Sequence, residues 1–404
     1  MSRKDQGPNL FKIIAAIVVF GGVAFGIMQV SLFFQDYLNR GVEAAAVKNL
    51  DKARELFEQG DMLEAAKLLR PILARVDDPA ISPRALMLQA ELDRKAGDLD
   101  AALEHLQAAS EDFEDSAEQP AAALAYAALL EERGRTDEAL AVYARVRKTA
   151  PPALRAPALI ALGRHKESLK DREAARQLFT QAMEDAEWGS DAWLDAAQRV
   201  GDMNVAAIFS PAPTPESEVY RVVSGDTLTT IGIRFNTTQG LLLRANNLEN
   251  ANRLRLNQTL KYTPKDFEIV IELSTKRLYL LDSQGVFNVY SVGLGKPGND
   301  TTPGKYKIGN KEKNPTWYKP GFGPIPPGDP RNELGTRWMP LVPEEERLPT
   351  DLGVHGTIDP ETVGVYSSMG CPRLYNDEAE ELYDLVVRST PVTIVEVYNP
   401  RQMG

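Results

Sequence analysis

The sequence predicts a multidomain protein with one transmembrane helix, an all-α repeat solenoid, a small β-α-α-β domain and a mainly-β domain with a helix. Three observations predict this order. Residues 13–34 are apolar and uncharged, a pattern rich in alanine and leucine recurs between residues 41 and 205, and apolar residues alternate with polar ones after residue 267. The predicted segments are a tail (1–12), a membrane helix (13–34), repeats (41–205), a Pro-rich linker (206–217), the small domain (218–264) and the last domain (266–398).

Composition excludes several classes of protein. The chain has 404 residues, 43% hydrophobic and 25% charged, which is typical of globular proteins rather than of disordered or collagen-like chains. Its net charge of −11 predicts no nucleic-acid partner, because nucleic-acid binding needs a basic surface. One cysteine cannot form an intrachain disulfide, and three scattered histidines are too few for a His/Cys zinc site. Disulfide scaffolds and zinc modules are therefore excluded.

The first 40 residues predict a membrane anchor. Residues 13–34 contain 22 uncharged positions, which as a helix span roughly 33 Å, enough for a bilayer core. Arg3, Lys4 and Lys12 precede the stretch, which favours a cytoplasmic tail and export of the rest. A cleaved signal peptide and a buried core helix are the alternatives. The stretch is long for the former, and no small-residue cleavage site follows it. We therefore expect a single-pass protein of the cytoplasmic membrane with periplasmic or other extracytoplasmic domains.

Four copies of one pattern predict a helical repeat array. GDMLEAAKLL, GDLDAALEHL, GRTDEALAVY and KDREAARQLF begin at residues 60, 97, 134 and 170. In the first three copies glycine ends one helix, a polar residue begins the next, and paired alanines allow close helix packing. The pattern resembles tetratricopeptide repeats, which implies docking of a protein partner; a generic alanine-rich bundle is the alternative. Alternating prolines after Ser210 then predict a semi-rigid linker.

Residues 218–264 predict a small β-α-α-β domain. Gly225 turns the chain after a first strand, Asp226 can cap the first helix, and a second helix ends at Asn246-Asn247. The motif Gly225-Asp226-Thr227-Leu228 with Asn246-Asn247 resembles a LysM domain. That resemblance implies binding of N-acetylglucosamine-containing glycan at Gly225, Asp226, Thr227 and Asn246. The alternative is that Gly225-Asp226 only begins a helix.

The last domain contains Cys371 and the one histidine outside the repeats, His355, 16 residues before it. A thiol nucleophile needs a nearby base, because the thiolate is the reactive form. Glycines at 356 and 370 allow tight turns, and the backbone N–H groups near Gly370 and Cys371 can form an oxyanion hole. Papain-like enzymes place cysteine before histidine, and a buried inert cysteine is the remaining alternative. One helix is expected after Asn376, with Asn376 as its cap.

The motifs around these residues identify a family. Val354-His355-Gly356-Thr357 and Ser368-Met369-Gly370-Cys371-Pro372-Arg373 resemble the catalytic signature of L,D-transpeptidases, although many members have histidine where this chain has Met369. The resemblance implies no metal or cofactor. It implies these roles: Cys371 as nucleophile, His355 as general base and acid, Gly356 as the carbonyl that orients His355, Gly370 as an oxyanion donor, Arg373 in site electrostatics, and Trp317, Trp338, Ser368 and Met369 in substrate binding.

The function implied by this resemblance is cross-linking of peptidoglycan in cell-wall biogenesis and cell shape. Cys371 would attack the L,D-peptide bond of a tetrapeptide stem, release D-alanine and pass the acyl group to an amine, giving a 3→3 cross-link. The same acyl-enzyme would also serve an L,D-carboxypeptidase, exchange of D-amino acids, or attachment of proteins to peptidoglycan. A non-catalytic wall-tethering scaffold is the distant alternative.

Overall fold

The structure is a computed structural model that describes residues 42–113, 116–319 and 321–400. It contains two compact units, one ending at Ala161 and the other beginning at Leu162. Twelve helices and fourteen strands are labelled below in chain order. Helix α7 (Pro152–Ser168) runs across the division between the units.

The first unit is helical, and successive helices pack against each other. Alanines such as Ala65, Ala85 and Ala102 are fully buried, so small side chains bring the helices close. Gly60, Gly97 and Gly134 have positive φ between paired helices, and the carboxylates of Asp61 and Asp98 cap the helices that follow. The helices are α1 (residues 42–58), α2 (Met62–Arg75), α3 (Ser82–Ala96), α4 (Leu99–Glu111), α5 (Gln119–Glu132) and α6 (Thr136–Thr149).

The predicted transmembrane helix requires a correction. Nowhere in residues 42–113, 116–319 and 321–400 is there a helix with both the length and the apolar character to span a bilayer. Helix α9 (Asp191–Phe209) is 19 residues long, but it carries Asp191, Asp195 and Arg199, charges that a bilayer core disfavours. The predicted segment 13–34 lies outside the described residues. The fold class therefore retains the helical, LysM-like and mainly-β parts, without the membrane span or the single-pass location.

The second unit begins with the end of α7 and continues with α8 (Arg172–Asp185), α9 and the predicted β-α-α-β domain. In that domain β1 pairs antiparallel with β2, and two short helices cover the pair. Leu228, Ile231 and Leu260 are buried in its small core. Its elements are β1 (Glu218–Arg221), α10 (Leu228–Arg234), α11 (Gln239–Ala245) and β2 (Thr259–Tyr262).

The last domain is built on a mainly antiparallel sheet of eight strands. Its order is β12-β11-β7-β14-β3-β4-β5, with β8 also paired to β11, and only the β14–β3 pair is parallel. Helix α12 buries Ala379, Leu382 and Leu385 in the core. The strands are β3 (Glu268–Glu272), β4 (Arg277–Asp282), β5 (Gly285–Ser291), β6 (Leu294–Gly295), β7 (Gly304–Ile308), β8 (Glu312–Lys313), β9 (Trp317–Tyr318), β10 (Pro324–Ile325), β11 (Arg337–Pro343), β12 (Gly353–His355), β13 (Tyr366–Ser368) and β14 (Pro391–Val395), and α12 spans Asn376–Leu385.

Helix α9 joins this core rather than ending at the predicted linker. Val205, Ile208 and Phe209 pack in the same cluster as the residues of the sheet. Asn204 donates to the carbonyl of Phe287 on the edge strand β5 at 2.8 Å. Residues 206–209, predicted to be linker, are therefore helical, because their apolar side chains are buried by the last domain.

Candidate active site

Backbone hydrogen bonds bring the histidine and the cysteine segment together. His355 ends β12, at an edge of the sheet. Its N–H donates to the carbonyl of Pro372 at 3.2 Å, and the N–H of Leu374 donates to the carbonyl of His355 at 2.8 Å. The cysteine segment also pairs with Gly293, because the backbones of Arg373 and Gly293 exchange two hydrogen bonds of 2.8 Å. Residues 371–374 are thus held between Gly293 and the strand that carries His355.

The His355 side chain is buried and oriented by one carbonyl. Its Nδ1 lies 2.6 Å from the carbonyl oxygen of Gly356, and because that oxygen can only accept, Nδ1 carries the proton. Burial and the positive charge of Arg373 lower the pKa of His355 to about 4, although the backbone at Gly356 and the Glu333 carboxylate oppose the shift. The ring is therefore neutral at pH 7, with a lone pair on Nε2.

The Cys371 thiol is half-buried, on the segment whose backbone is hydrogen-bonded to His355. It donates to the carbonyl of Asp351 at 3.8 Å, a weak sulfur hydrogen bond. Desolvation, helped by the charge of Asp351, raises the pKa of Cys371 to about 11, against the opposing effects of a backbone hydrogen bond at Gly353 and of Arg373. The thiol is therefore protonated at pH 7. In the part of the chain that the structure describes, no hydrogen bond joins it to the His355 ring.

The residues before Cys371 form a tight, internally bonded turn. Gly370 has φ +118, a conformation that side chains disfavour, and its N–H donates to the buried Ser368 hydroxyl at 3.1 Å. Its carbonyl accepts from Thr301, whose Oγ1 in turn accepts from the N–H of Gly295 at 2.9 Å. The predicted oxyanion donor Gly370 is thus already engaged by Ser368. Met369 is 62% exposed at the tip of the turn.

Arg373 lies in the site with a partner that the sequence did not suggest. Its guanidinium is buried and donates to Glu333 at 2.8 Å, and Glu333 also accepts from Lys319 at 3.2 Å. Glu333 lies outside the two motifs that carry the family resemblance, so neither motif pointed to it. Thr301 and Asn376 were also missed, because their contacts join residues far apart in the sequence.

The two predicted tryptophans lie on different elements. Trp338 is opposite His355 in the β11–β12 pair, with ring centroids 5.7 Å apart. It also packs on Gly353, where a Cβ would lie 2.4 Å from its ring. Trp317 is on the short β9–β10 hairpin, below the ammonium group of Lys319, which is 4.5 Å from the ring centroid. Only Trp338 is thus in direct contact with the histidine.

The predicted glycan-binding residues have mainly internal partners. Asp226 accepts from the hydroxyl of Tyr220 at 2.7 Å and from the N–H of Val223 at 2.9 Å, so Thr227, not Asp226, is the helix cap. The amide of Asn246 bonds Lys261 through both its oxygen and its nitrogen. Gly225, with φ +88, forms the turn itself. Asp226 and Asn246 therefore fix the shape of the domain.

A metal centre is not formed by the residues described. Across residues 42–113, 116–319 and 321–400, no group of three or more His, Cys, Asp or Glu side chains is placed to hold a metal ion.

Three family models match the chain. The L,D-transpeptidase catalytic domain matches residues 266–394, the LysM domain matches residues 220–263, and a tetratricopeptide repeat-like domain matches residues 10–197. The residue range of the last match includes residues 13–34. The order of the three matches confirms the three resemblances found in the sequence.

Relatives from Bacillus subtilis agree with the carboxyl-terminal match. "Putative L,D-transpeptidase YqjB" is 33% identical over 136 residues, which are 33% of this chain and 73% of that protein. "Putative L,D-transpeptidase YkuD" is 30% identical over 182 residues, 43% of this chain and 97% of that protein. The solved catalytic domain of the E. faecium L,D-transpeptidase shares 23% identity over 32% of this chain and 97% of its own, with a TM-score of 0.26.

These matches define an enzyme whose catalytic domain is joined to a LysM domain and to helical repeats. The chain belongs to the L,D-transpeptidase family. Its function is that of a peptidoglycan L,D-transpeptidase, and its LysM and catalytic domains bind peptidoglycan.

Proposed function

We propose that the L,D-transpeptidase reaction of this chain uses Cys371 as the nucleophile and His355 as the general base. One observation carries the proposal: a neutral imidazole, with Nδ1–H held by the Gly356 carbonyl, lies on the strand that is hydrogen-bonded to the cysteine segment. In that tautomer Nε2 is the basic atom. Because both side chains are neutral at rest, proton transfer accompanies attack instead of preceding it.

The first half-reaction forms a thioester. Sγ of Cys371 attacks the carbonyl carbon of the L-centred third residue of a tetrapeptide stem, and its proton passes to Nε2 of His355. The tetrahedral intermediate collapses when Nε2–H protonates the departing amine of D-alanine and the C–N bond breaks. The acyl group then remains on sulfur, and His355 is again neutral.

The negative oxygen of the intermediate needs donors close to the nucleophile. We assign this role to the N–H of Cys371, since Gly370 N–H donates to Ser368 and no hydrogen bond from Cys371 N–H is found among the described residues. Arg373 supplies positive charge on the same segment. The hydroxyls of Ser368 and Thr301 are hydrogen-bonded to the N–H and the carbonyl of Gly370, and so fix the turn before this N–H. Trp338 and the exposed Met369 are proposed to contact the substrate.

The second half-reaction transfers the acyl group to an amine. His355 Nε2 removes a proton from the amine of another stem's third residue as that amine attacks the thioester. The thiolate leaves and is protonated by His355, and the product is a 3→3 cross-link. Water in place of the amine would give a tripeptide, so the products identify the acceptor.

The LysM domain is proposed to bind the glycan strand beside the reaction. Because Asp226 and Asn246 are committed to internal hydrogen bonds, glycan contacts are assigned to the Gly225–Thr227 turn and to the facing loop. The stretch from the short 3-10 helix Ala251–Arg253 to β2 lines a concavity of about 570 Å³, with Arg253, Arg255 and Asn257 among its lining residues.

The test is mass spectrometry of the full chain with a tetrapeptide stem. We expect the wild-type protein to release D-alanine and gain the mass of the remaining acyl group, and Cys371→Ala to do neither. His355→Gln should slow acylation by about 10²–10⁴-fold, as for loss of a general base. His165→Gln, in the repeats, is the matched control and should react as wild type. Release of D-alanine by Cys371→Ala would refute the assignment.

A further inference from the structure

One carboxylate near the nucleophile is shared by two cations. Glu333 accepts from Arg373 Nη2 at 2.8 Å and from Lys319 Nζ at 3.2 Å. With one negative and two positive charges, the Lys319–Glu333–Arg373 group carries a net charge of +1. A further carboxylate would balance this charge.

The group also contains a buried donor without a partner. Arg373 is 8% exposed, and its Nε atom is buried and makes no hydrogen bond within the residues that the structure describes. Leaving a buried donor unsatisfied is unfavourable, and a ligand that accepts a hydrogen bond would remove that penalty. The side chains of Lys319 and Glu333 are 29% and 35% exposed, so a ligand can reach the group from solvent.

The position of Lys319 is fixed by the β9–β10 hairpin. Its ammonium lies 4.5 Å from the Trp317 ring centroid and 5.5 Å from that of Phe322, two cation–π contacts. Asn332, which is buried, donates to the carbonyls of Pro315 and Ile325 and thereby ties both ends of the hairpin to the residue before Glu333. The hairpin therefore presents its lysine next to the arginine of the cysteine segment.

We propose that Lys319, held by Glu333 next to Arg373, is a specificity-determining residue that binds a free carboxylate of the donor stem peptide. This inference rests on the proposed function. The donor has two such groups near the bond to be cleaved: the terminal carboxylate of D-alanine and the carboxylate at the side-chain end of the third residue. Lysine and arginine together recognise a carboxylate by charge-assisted hydrogen bonds, which a neutral amide cannot replace.

The experiment measures binding without reaction. Full-length Cys371→Ala protein is titrated by calorimetry with a tetrapeptide stem and with two analogues, each amidated at one of the two carboxylates. We expect one amidation to weaken binding by about 5–30-fold, as for loss of a charge-assisted hydrogen bond. The analogue that binds more weakly identifies which of the two carboxylates is recognised. Adding salt should reduce the difference between free and amidated stems.

Variants of Lys319 separate recognition from general effects. In the Cys371→Ala background, Lys319→Met should bind free and amidated stems within about 2-fold of each other, and Lys319→Arg should restore most of the discrimination. Lys307→Met, an exposed lysine on β7, is the control and should discriminate as the parent does. Both ligands are compared on one protein, so partial misfolding does not change the ratio.

Two results would overturn the inference: equal binding of free and amidated stems by the parent, or unchanged discrimination in Lys319→Met. Neither affects release of D-alanine by the protein with Cys371 intact, which tests the proposed function separately. Conversely, carboxylate-dependent binding without D-alanine release would refute the proposed reaction and leave the recognition by Lys319 in place.

Discussion

The two side chains that we propose react are uncharged at neutral pH, and burial is the main cause in both. His355 has its pKa lowered to about 4, so it is deprotonated at pH 7, while Cys371 has its pKa raised to about 11, so it is protonated. The resting site is thus a thiol and an imidazole, not a thiolate–imidazolium pair. The sequence predicted that these two residues act together, but their charge state depends on burial by strands distant in sequence.

This charge state predicts slow alkylation of the resting enzyme. The rate for Cys371 with iodoacetamide should rise about tenfold per pH unit from pH 6 to pH 10, because only the thiolate reacts and its fraction rises with pH. Cys371 is the one cysteine in the sequence, so mass spectrometry of the full chain reports it alone. A rate that is constant between pH 5 and pH 8 would instead indicate a preformed ion pair and contradict the charge assignment.

The glycine after His355 is predicted to be essential for a steric reason. A Cβ on Gly356 would lie 2.2 Å from Oδ1 of Asn376, which accepts from the N–H of Thr336 at 3.1 Å. Gly356→Ala must therefore displace either that amide or the carbonyl that orients His355. Since misplacing a catalytic group by about 1 Å costs about 100-fold, acylation should slow by about 10–100-fold.

The control for this variant is Gly323→Ala, because a Cβ at Gly323 meets nothing within 4 Å. Acylation of both variants is measured by the mass of the acyl-enzyme over time. If Gly356→Ala acylates within about twofold of the wild-type rate, the steric argument is wrong.

Helix α12 shows how an element can be predicted while its details are not. The sequence predicted the helix, but Asn376 does not cap it; the cap position is Tyr375, without a side-chain hydrogen bond. Asn376 donates instead to the carbonyl of Thr357 at 2.8 Å. An asparagine at the start of a helix is usually a good cap. Here its side chain instead makes hydrogen bonds with Thr336 and Thr357, which lie far from it in the sequence.

Glu378 in the first turn of α12 predicts a pH-dependent stability. Desolvation and the charges of Asp377, Glu381 and Asp202 raise the pKa of Glu378 from 4.5 to about 7. The folded state therefore binds the proton more tightly than the unfolded state, and stability falls as pH rises from 4.5 to 7. Glu378→Gln removes this loss and should stabilise the second unit by about 1–3 kcal/mol at pH 8, with little effect at pH 4.5.

The measurement is thermal unfolding of the full chain at several pH values. Glu346→Gln, at an exposed position, serves as the control and should leave the pH dependence unchanged. His355 contributes a pH dependence of stability with the opposite sign, because its lowered pKa makes stability fall as pH drops from 6.5 to 4. The contribution of Glu378 is therefore measured as the difference in stability between wild type and Glu378→Gln at each pH. Equal midpoints for wild type and Glu378→Gln at pH 8 would contradict the prediction.

The strands were predicted to within one or two residues wherever apolar residues alternate. The alternation predicts strands at Val286–Val292 and Val392–Val397. The structure has β5 at Gly285–Ser291 and β14 at Pro391–Val395. Between residues 293 and 330 glycine and proline conceal the pattern, and the short β9–β10 hairpin was not predicted. Local periodicity therefore found the long strands, whereas strand order and the hairpin depend on long-range pairing.

At the scale of the whole second unit, the LysM domain makes contacts with helices α9 and α12. Lys261 is buried and donates to the carbonyls of Ala207 and Ser210 at the end of α9, at 2.9 and 2.6 Å. The hydroxyl of Thr238 donates to the carbonyl of Asp384 on α12. Arg244 stacks on Phe209, 3.4 Å from the ring centroid. None of these contacts has a local sequence signal, and each joins segments that were predicted to be separate domains.

This docking predicts that Lys261→Met loosens the linker. Loss of the ammonium leaves the carbonyls of Ala207 and Ser210 without their donor, at about 1–3 kcal/mol. The last turn of α9 should then fray, and limited proteolysis between residues 210 and 217 should become about tenfold faster or more. Lys305→Met, at an exposed position on β7, is the control. Unchanged cleavage in Lys261→Met would show that the contact does not hold the domain.

The burial of α9 in the catalytic core limits how this chain can be recombined. Proline-rich segments are natural places to exchange modules, yet a cut at residue 210 would separate Val205, Ile208 and Phe209 from the sheet that covers them. A chimera with another repeat array would have to supply matching apolar side chains on its last helix, together with a hydrogen-bond donor for the Phe287 carbonyl on the β5 edge, to which Asn204 now donates. The smallest part of this enzyme that can be transferred to another protein is therefore larger than its catalytic domain, because the last helix of the repeats must be transferred as well.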